Sequence, residues 1–462
     1  MTAGPTMPTP PGPPPRKGIA ASLRYYASFA LDPIGFVAGR FERYGDLYFT
    51  PTKDGGLYVL KHPDHVREVL ATRASSFSKG HTAFTMLQRV LGEGLLTTDG
   101  ETWTRQRRMV QPAFAPSSMA GYAQIMVEEA RRTAASWSDT DGKRELTDEM
   151  TSLTLRIVSR TLFGHDVPER DIRAVGRAMD AFQRSLSSPD FLPAWLPTPG
   201  RRELERSLEE LDAIIHGLIE ARMSAPPAAT PRADLLEMLV TAVDSEGRGG
   251  RLSVKEMRDQ LVTLFLAGHE TTSNALTWTF ACLASNPDCE RKLHEELDTV
   301  LGGRAPEPGD LERLPYTEQV VSEAMRLYPP IYVIARRASE DTEIGGYPVP
   351  RGAEVIVWVY MAHRDPRFFP DPEVFRPERF TKEQLATLPR HAYLPFGGGP
   401  RACIGKTFAM MEARLILATL AQRHRVALAP GQGLDPKPRI TLTPKRGLRV
   451  IFSPRARGSN QA

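Results

Sequence analysis

With 462 residues the chain suffices for one large domain or about three small ones, and 59 Lys and Arg against 55 Asp and Glu leave a net charge of only +4. That balance gives no case for nucleic acid as a partner. Three cysteines, Cys282, Cys289 and Cys403, are too sparse for a disulfide framework or a zinc site, so a reducing, cytoplasmic setting is expected.

Residues 1–18 carry seven prolines and no apolar stretch. They are expected to form an extended, disordered lead-in, neither signal peptide nor anchor, before a single domain over 19–462. A helix is predicted over 21–44. Leu47-Tyr48-Phe49 and Leu57-Tyr58-Val59-Leu60 flank Lys53-Asp54-Gly55-Gly56 and read as a hairpin. Helix follows over 62–70, then an irregular Gly-dotted stretch over 80–96. Trp103 to Ala113 is helical and basic. Ala120 to Phe163 is mostly helical, with a break near 139–142. Loop breaks are expected at Ser187-Ser188-Pro189 and over Leu196 to Gly200, and Arg201 to Ser224 is an amphipathic helix ended by Pro226-Pro227. Ser253 with Glu256 makes a capping box that opens the longest helical pattern, about 33 residues or roughly 50 Å. Helices over 288–301 and 317–328 follow, the second stopped by Pro329-Pro330. Strands are predicted at 332–335 and 354–360, a last helix from Cys403 to about Arg423, and a terminal hairpin over 439–452. No run of 18 apolar residues occurs, so no transmembrane helix is expected. The fold class is mainly α with a small β-rich lobe.

The densest chemistry lies in Phe396-Gly397-Gly398-Gly399-Pro400-Arg401-Ala402-Cys403-Ile404-Gly405. A cysteine near a helix N-terminus is favoured as thiolate. Glycines let the backbone approach something flat, and Arg401 offers a positive charge to a nearby anion. That combination suits axial sulfur ligation of haem iron. A dinucleotide site is rejected, because no strand with an acidic residue follows at the needed distance. A second cluster, Ala267-Gly268-His269-Glu270-Thr271-Thr272, falls in the middle of the long helix after the apolar run Leu261 to Leu266. An acid in such a place needs a partner or a task. Thr271 can hydrogen-bond dioxygen or water there, and Glu270 can relay a proton. A zinc-protease helix is excluded, since Ser273 stands where the second histidine should be. Glu323 and Arg326 share one helix face at i,i+3.

Together these segments resemble the cytochrome P450 family. Phe396, Gly399, Arg401, Cys403 and Gly405 fill its haem-binding loop, and Ala267 to Thr272 its oxygen-activation motif. Glu323, Arg326 and Arg379 of Pro377-Glu378-Arg379 match its structural triad, and Trp103 with Arg107 its Trp-x-x-x-Arg helix. The resemblance runs from about residue 32 to 452. It implies the P450 fold and haem b (iron protoporphyrin IX) ligated by Cys403. It further implies that Trp103, Arg107, Arg336 and Arg401 hold the propionates, Arg337 standing as an alternative to Arg336.

The implied reaction inserts one oxygen atom from O2 into a hydrophobic small molecule: a fatty acid, terpenoid, steroid or polyketide-like compound. Electrons are expected from a separate ferredoxin and its NAD(P)H-driven reductase, because the chain has no flavin or ferredoxin segment. Arg105 and Arg108 are expected to meet the acidic partner. Two other readings stay open at this level: a peroxide-dependent or isomerising haem-thiolate enzyme, and a non-catalytic haem-binding protein.

Overall fold

The computed structural model describes every residue except 1–8, 16–17, 53–54, 138–142, 165–167, 188–197, 226–233, 245–249 and 456–462. The expected break at 139–142, residues 188–189 and 196–197 of the two loop breaks, and the stop at Pro226-Pro227 lie outside the described residues, whereas Ser187 ends one helix and Pro199-Gly200 open another. No helix among the described residues is long and apolar enough to cross a membrane. The chain divides into two compact units.

The first unit comprises Met1–Met86, Arg326–Val374 and Lys382–Cys403. Its centre is a five-stranded sheet. Leu47–Thr50 pairs antiparallel with Leu57–Leu60, Leu47 facing Leu60, as the hairpin reading expected. Glu354–Val357 then runs parallel to Leu57–Leu60, and Ile334–Ala338 and Phe77–Ser78 complete the order. Leu47, Tyr58, Leu60, Val355 and Val357 turn inward onto Val66, Val69 and Leu70, forming one apolar core. Part of the proline lead-in is docked rather than disordered: the Phe49 N–H donates to Pro11 O at 2.9 Å. The helix predicted over 21–44 is two, Ile19–Leu31 and Pro33–Tyr44. Asp32 separates them by accepting a bond from Gly35 N, while Pro33 brings no N–H to continue the first helix. The next helix, Pro63–Arg67, opens into a π-turn over Glu68–Thr72.

The second unit comprises Leu87–Met325, Phe375–Thr381 and Ile404–Ala462. Its axis is the Val254–Ala284 helix of 31 residues. Both halves of the Ser253–Glu256 capping box form. Leu261, Val262 and Phe265 of this helix pack with Phe182, Leu211, Ile215 and Ile219 in the unit's core.

Among the described residues, several helices stand where none was expected, Val359–Ala362 and Lys382–Thr387 among them, and the strand predicted over 354–360 ends at Val357. Thr82–Leu91 replaces most of the irregular stretch. Glu169–Ser187 and Leu235–Thr241 were not anticipated. The first of this pair buries Ile172, Val175 and Met179, a 3.6-residue stripe. The terminal hairpin is also corrected. Leu442–Pro444 pairs with Pro436–Pro438, whereas Arg449–Pro454 pairs with His424–Leu428 and Lys143–Glu145.

Candidate active site

In the first unit, the stretch from Phe396 to Cys403 folds into a clamped loop. The Cys403 N–H donates to Phe396 O at 2.9 Å, and the Ala402 N–H to Gly399 O at 3.0 Å. Gly397 and Gly399 take φ of +69° and +67°, the left-handed region glycine tolerates. At Gly399 a Cβ would stand 1.7 Å from Leu70 O, so no side chain fits. The loop leaves the Cys403 side chain exposed. The final helix is Lys406–Ala421 with Gly405 at its N-cap, so Cys403 precedes the helix by three residues instead of opening it. Arg336 lies on the Ile334–Ala338 strand, buried, with Nη1 donating to Ala335 O at 2.8 Å. The buried Arg326 guanidinium donates to His363 O and Pro372 O at 2.9 and 2.7 Å.

In the second unit, Trp103 and Arg107 lie one turn apart on the Gly100–Val110 helix, the guanidinium 5.6 Å from the indole centre. Glu323 pairs with Arg379 at 3.4 Å and accepts the Arg376 N–H at 2.8 Å. The long helix is buried through Leu261–Leu266 and again from Thr272 to Leu283. Between those runs Ala267 is exposed and Gly268 and Thr271 are half-buried. A strip of small side chains thus opens between two covered runs of the helix. Thr271 Oγ1 donates to Ala267 O at 2.5 Å. Glu270, the residue before Thr271, is buried and accepts the Thr441 hydroxyl at 2.5 Å. Burial raises its carboxyl above the ordinary value; the Thr441 bond and Arg439 pull it down, and Asp180 pushes it up. His269 beside it is pushed down to about 4 by burial and stays neutral.

A model of the family described as "Cytochrome P450" matches residues 10–452. The chain belongs to the cytochrome P450 family. Cyclooctatin synthase of Streptomyces melanosporofaciens is 38% identical over 432 residues, covering 92% of each chain. Cyclooctat-9-en-7-ol 5-monooxygenase of the same organism is 35% identical over 407 residues, covering 87% of each. Among solved structures, the heme domain of a cytochrome P450DA mutant superimposes with TM-score 0.85 at 28% identity, over 97% of this chain and 98% of that one. This P450 is therefore a monooxygenase of the haem-thiolate, O2-using kind, and a non-catalytic haem-binding role is set aside.

The residues present fit a haem. In the first unit, taken by itself, an exposed cysteine on a loop locked by backbone bonds supplies the donor. Arg105 and Arg108, expected to meet an acidic partner, are each ion-paired within the chain, Arg105 to Glu256 at 2.6 Å and Arg108 to Asp244 at 2.8 Å. Thr441 was missed as a contact of Glu270, because it lies 171 residues away and no local motif marks it.

Proposed function

We propose that this P450 hydroxylates a polycyclic terpenoid, using haem b held by Cys403 and electrons from a separate ferredoxin and reductase. The observation that carries the reading is the exposed Cys403 on a loop that tolerates no side chain at Gly399. The terpenoid choice is supported by relatives whose names specify cyclooctatin and cyclooctat-9-en-7-ol. Haem with a thiolate ligand supplies cleavage of the O–O bond.

This chain's residues do the rest. Cys403 would ligate the iron, its loop fixed by Phe396 and flanked by Gly405. Trp103, Arg107, Arg336 and Arg401 would hold the propionates through charge-assisted hydrogen bonds. Thr271 would hold a proton at Oγ1, where its bond to Ala267 O is the one to be exchanged. Glu270 would restore that proton from a carboxyl whose proton affinity burial raises. The apolar run Leu261 to Leu266 would exclude water on the N-terminal side.

The test is the carbon-monoxide difference spectrum of the reduced protein, followed by product analysis with cyclic terpenes, ferredoxin, reductase and NADPH. A strongly red-shifted Soret band, absent in Cys403→Ser, together with a singly hydroxylated terpene, is the expected result. A histidine-type spectrum, or turnover confined to fatty acids, would overturn the ligand or the substrate class respectively.

A further inference from the structure

The long helix grips one short segment of the tail with three side chains spaced a turn apart. Glu270 accepts the Thr441 hydroxyl at 2.5 Å, Asn274 Nδ2 donates to the same hydroxyl oxygen at 2.9 Å, and Trp278 Nε1 donates to Leu442 O at 2.9 Å. Positions 270, 274 and 278 fall at i, i+4 and i+8 on one helix face. All four side chains of this ladder are buried. The direction of the bonds is set by Asn274. Its amide occupies a lone pair on Thr441 Oγ1, which leaves the hydroxyl proton to point at Glu270.

We propose that Thr441 is a positioning residue for Glu270: its hydroxyl, oriented by Asn274, fixes where the carboxyl sits and favours its ionised form. The inference rests on the relay role given to Glu270 above. A buried carboxylate is costly unless something donates to it. Here the donor is a neutral hydroxyl, which stabilises the anion without committing the carboxyl to a permanent ion pair. The carboxyl is therefore able to change protonation state inside the fold, which a relay requires.

The other groups that bear on it are few. Arg439, two residues before Thr441, favours the anion, and Asp180 of the Glu169–Ser187 helix opposes it. His269, adjacent on the same helix, is neutral. Among these only Thr441 touches the carboxyl by a hydrogen bond, so it is the group whose removal isolates the effect.

The test is an infrared pH titration of the haem-loaded, full-length protein. It follows the protonated carboxyl band that is lost in Glu270→Gln. Thr441→Val keeps the shape and deletes the hydroxyl. It should move the midpoint to higher pH, lowering the acid constant by a factor of about 10, as expected for one lost bond to a charged group. Thr441→Ser should titrate as the wild type does. A midpoint unchanged in Thr441→Val overturns the inference, and so does a shift of equal size in Thr441→Ser, which would implicate packing. Should Thr441→Val fail to fold, Asn274→Leu tests the same chain of bonds. Without the amide the hydroxyl is no longer oriented, and the midpoint should again rise; an unmoved midpoint overturns the proposal.

Coupling of reductant to product separates this inference from the reading beneath it. Full coupling in Glu270→Gln would sink the relay role and leave the titration interpretable. Poor coupling in Glu270→Gln with an unmoved titration in Thr441→Val would sink only the role of Thr441.

Discussion

Glu412, on the final helix, is buried, and its Oε2 has no hydrogen-bond partner among the described residues. Burial pushes its carboxyl up to about 8, with the Thr272 hydroxyl pulling weakly the other way. In the folded protein Glu412 is therefore neutral at pH 7, while in the unfolded chain it ionises near its ordinary value of 4.5. Folding takes up a proton across that window. The contribution of Glu412 is thus intact below the unfolded value and is lost progressively as pH rises toward 8. Glu412→Gln removes the penalty, worth on the order of 3 kcal/mol at neutral pH. Thermal melts of the haem-loaded variant should exceed wild type at pH 8 and match it at pH 4.5; equal melts at pH 8 would show the carboxyl to be already ionised in the fold. At this scale the sequence was most legible where residues act as neighbours. The cysteine loop and the Ala267 to Thr272 cluster were read directly because their chemistry is contiguous. Thr441 and the acids facing Arg105 and Arg108 were not, because their contacts come from distant segments.

Elements differ in how much of their own geometry they encode. The long helix announced its start through Ser253 and Glu256, and both capping bonds are present. Ser253→Ala should cost about 1 kcal/mol, measurable by denaturant melts, because it orphans the Glu256 N–H without touching the site. The loop before the final helix is less forgiving. Gly399→Ala would place a methyl 1.7 Å from Leu70 O at a φ of +67°, so backbone must move. The expected result is a folded protein with most of its thiolate-type carbon-monoxide spectrum lost; a normal spectrum would mean that the loop yields without displacing Cys403. Helices with a capping signal or a long apolar period were legible in the sequence. Glu169–Ser187 carried its apolar stripe, but only the break from Ser187 on was read. Strand pairing was the least legible. The Arg449–Pro454 strand sits beside His424–Leu428 and Lys143–Glu145 because of partners far along the chain, whereas turn residues after Pro444 suggested a local hairpin.

For the molecule as a whole, the chain must return to its first hundred residues after some three hundred more. The sheet of the first unit does this by pairing Leu57–Leu60 with Glu354–Val357. A charged network seals the same junction. Asp365 accepts Lys61 Nζ at 2.9 Å and Arg367 Nε at 2.8 Å, and Arg367 reaches Asp46 with two bonds of 2.8 Å. Burial alone would raise the Asp365 carboxyl, but Arg367 and Lys61 outweigh it and hold the group well below its ordinary 3.8. A depressed carboxyl contributes stability above its unfolded value and loses it as pH falls toward the folded one. Asp365→Asn should therefore cost about 2 kcal/mol at pH 7, less than a fully buried pair because Arg367 is half-exposed. The gap from wild type should shrink steadily below pH 3.8 as the wild-type carboxylate is itself protonated. Denaturant melts from pH 7 down to pH 3 check both parts. A constant gap across that range would mean that Asp365 stabilises the junction by shape and not by charge, and that the sheet pairing alone closes the chain.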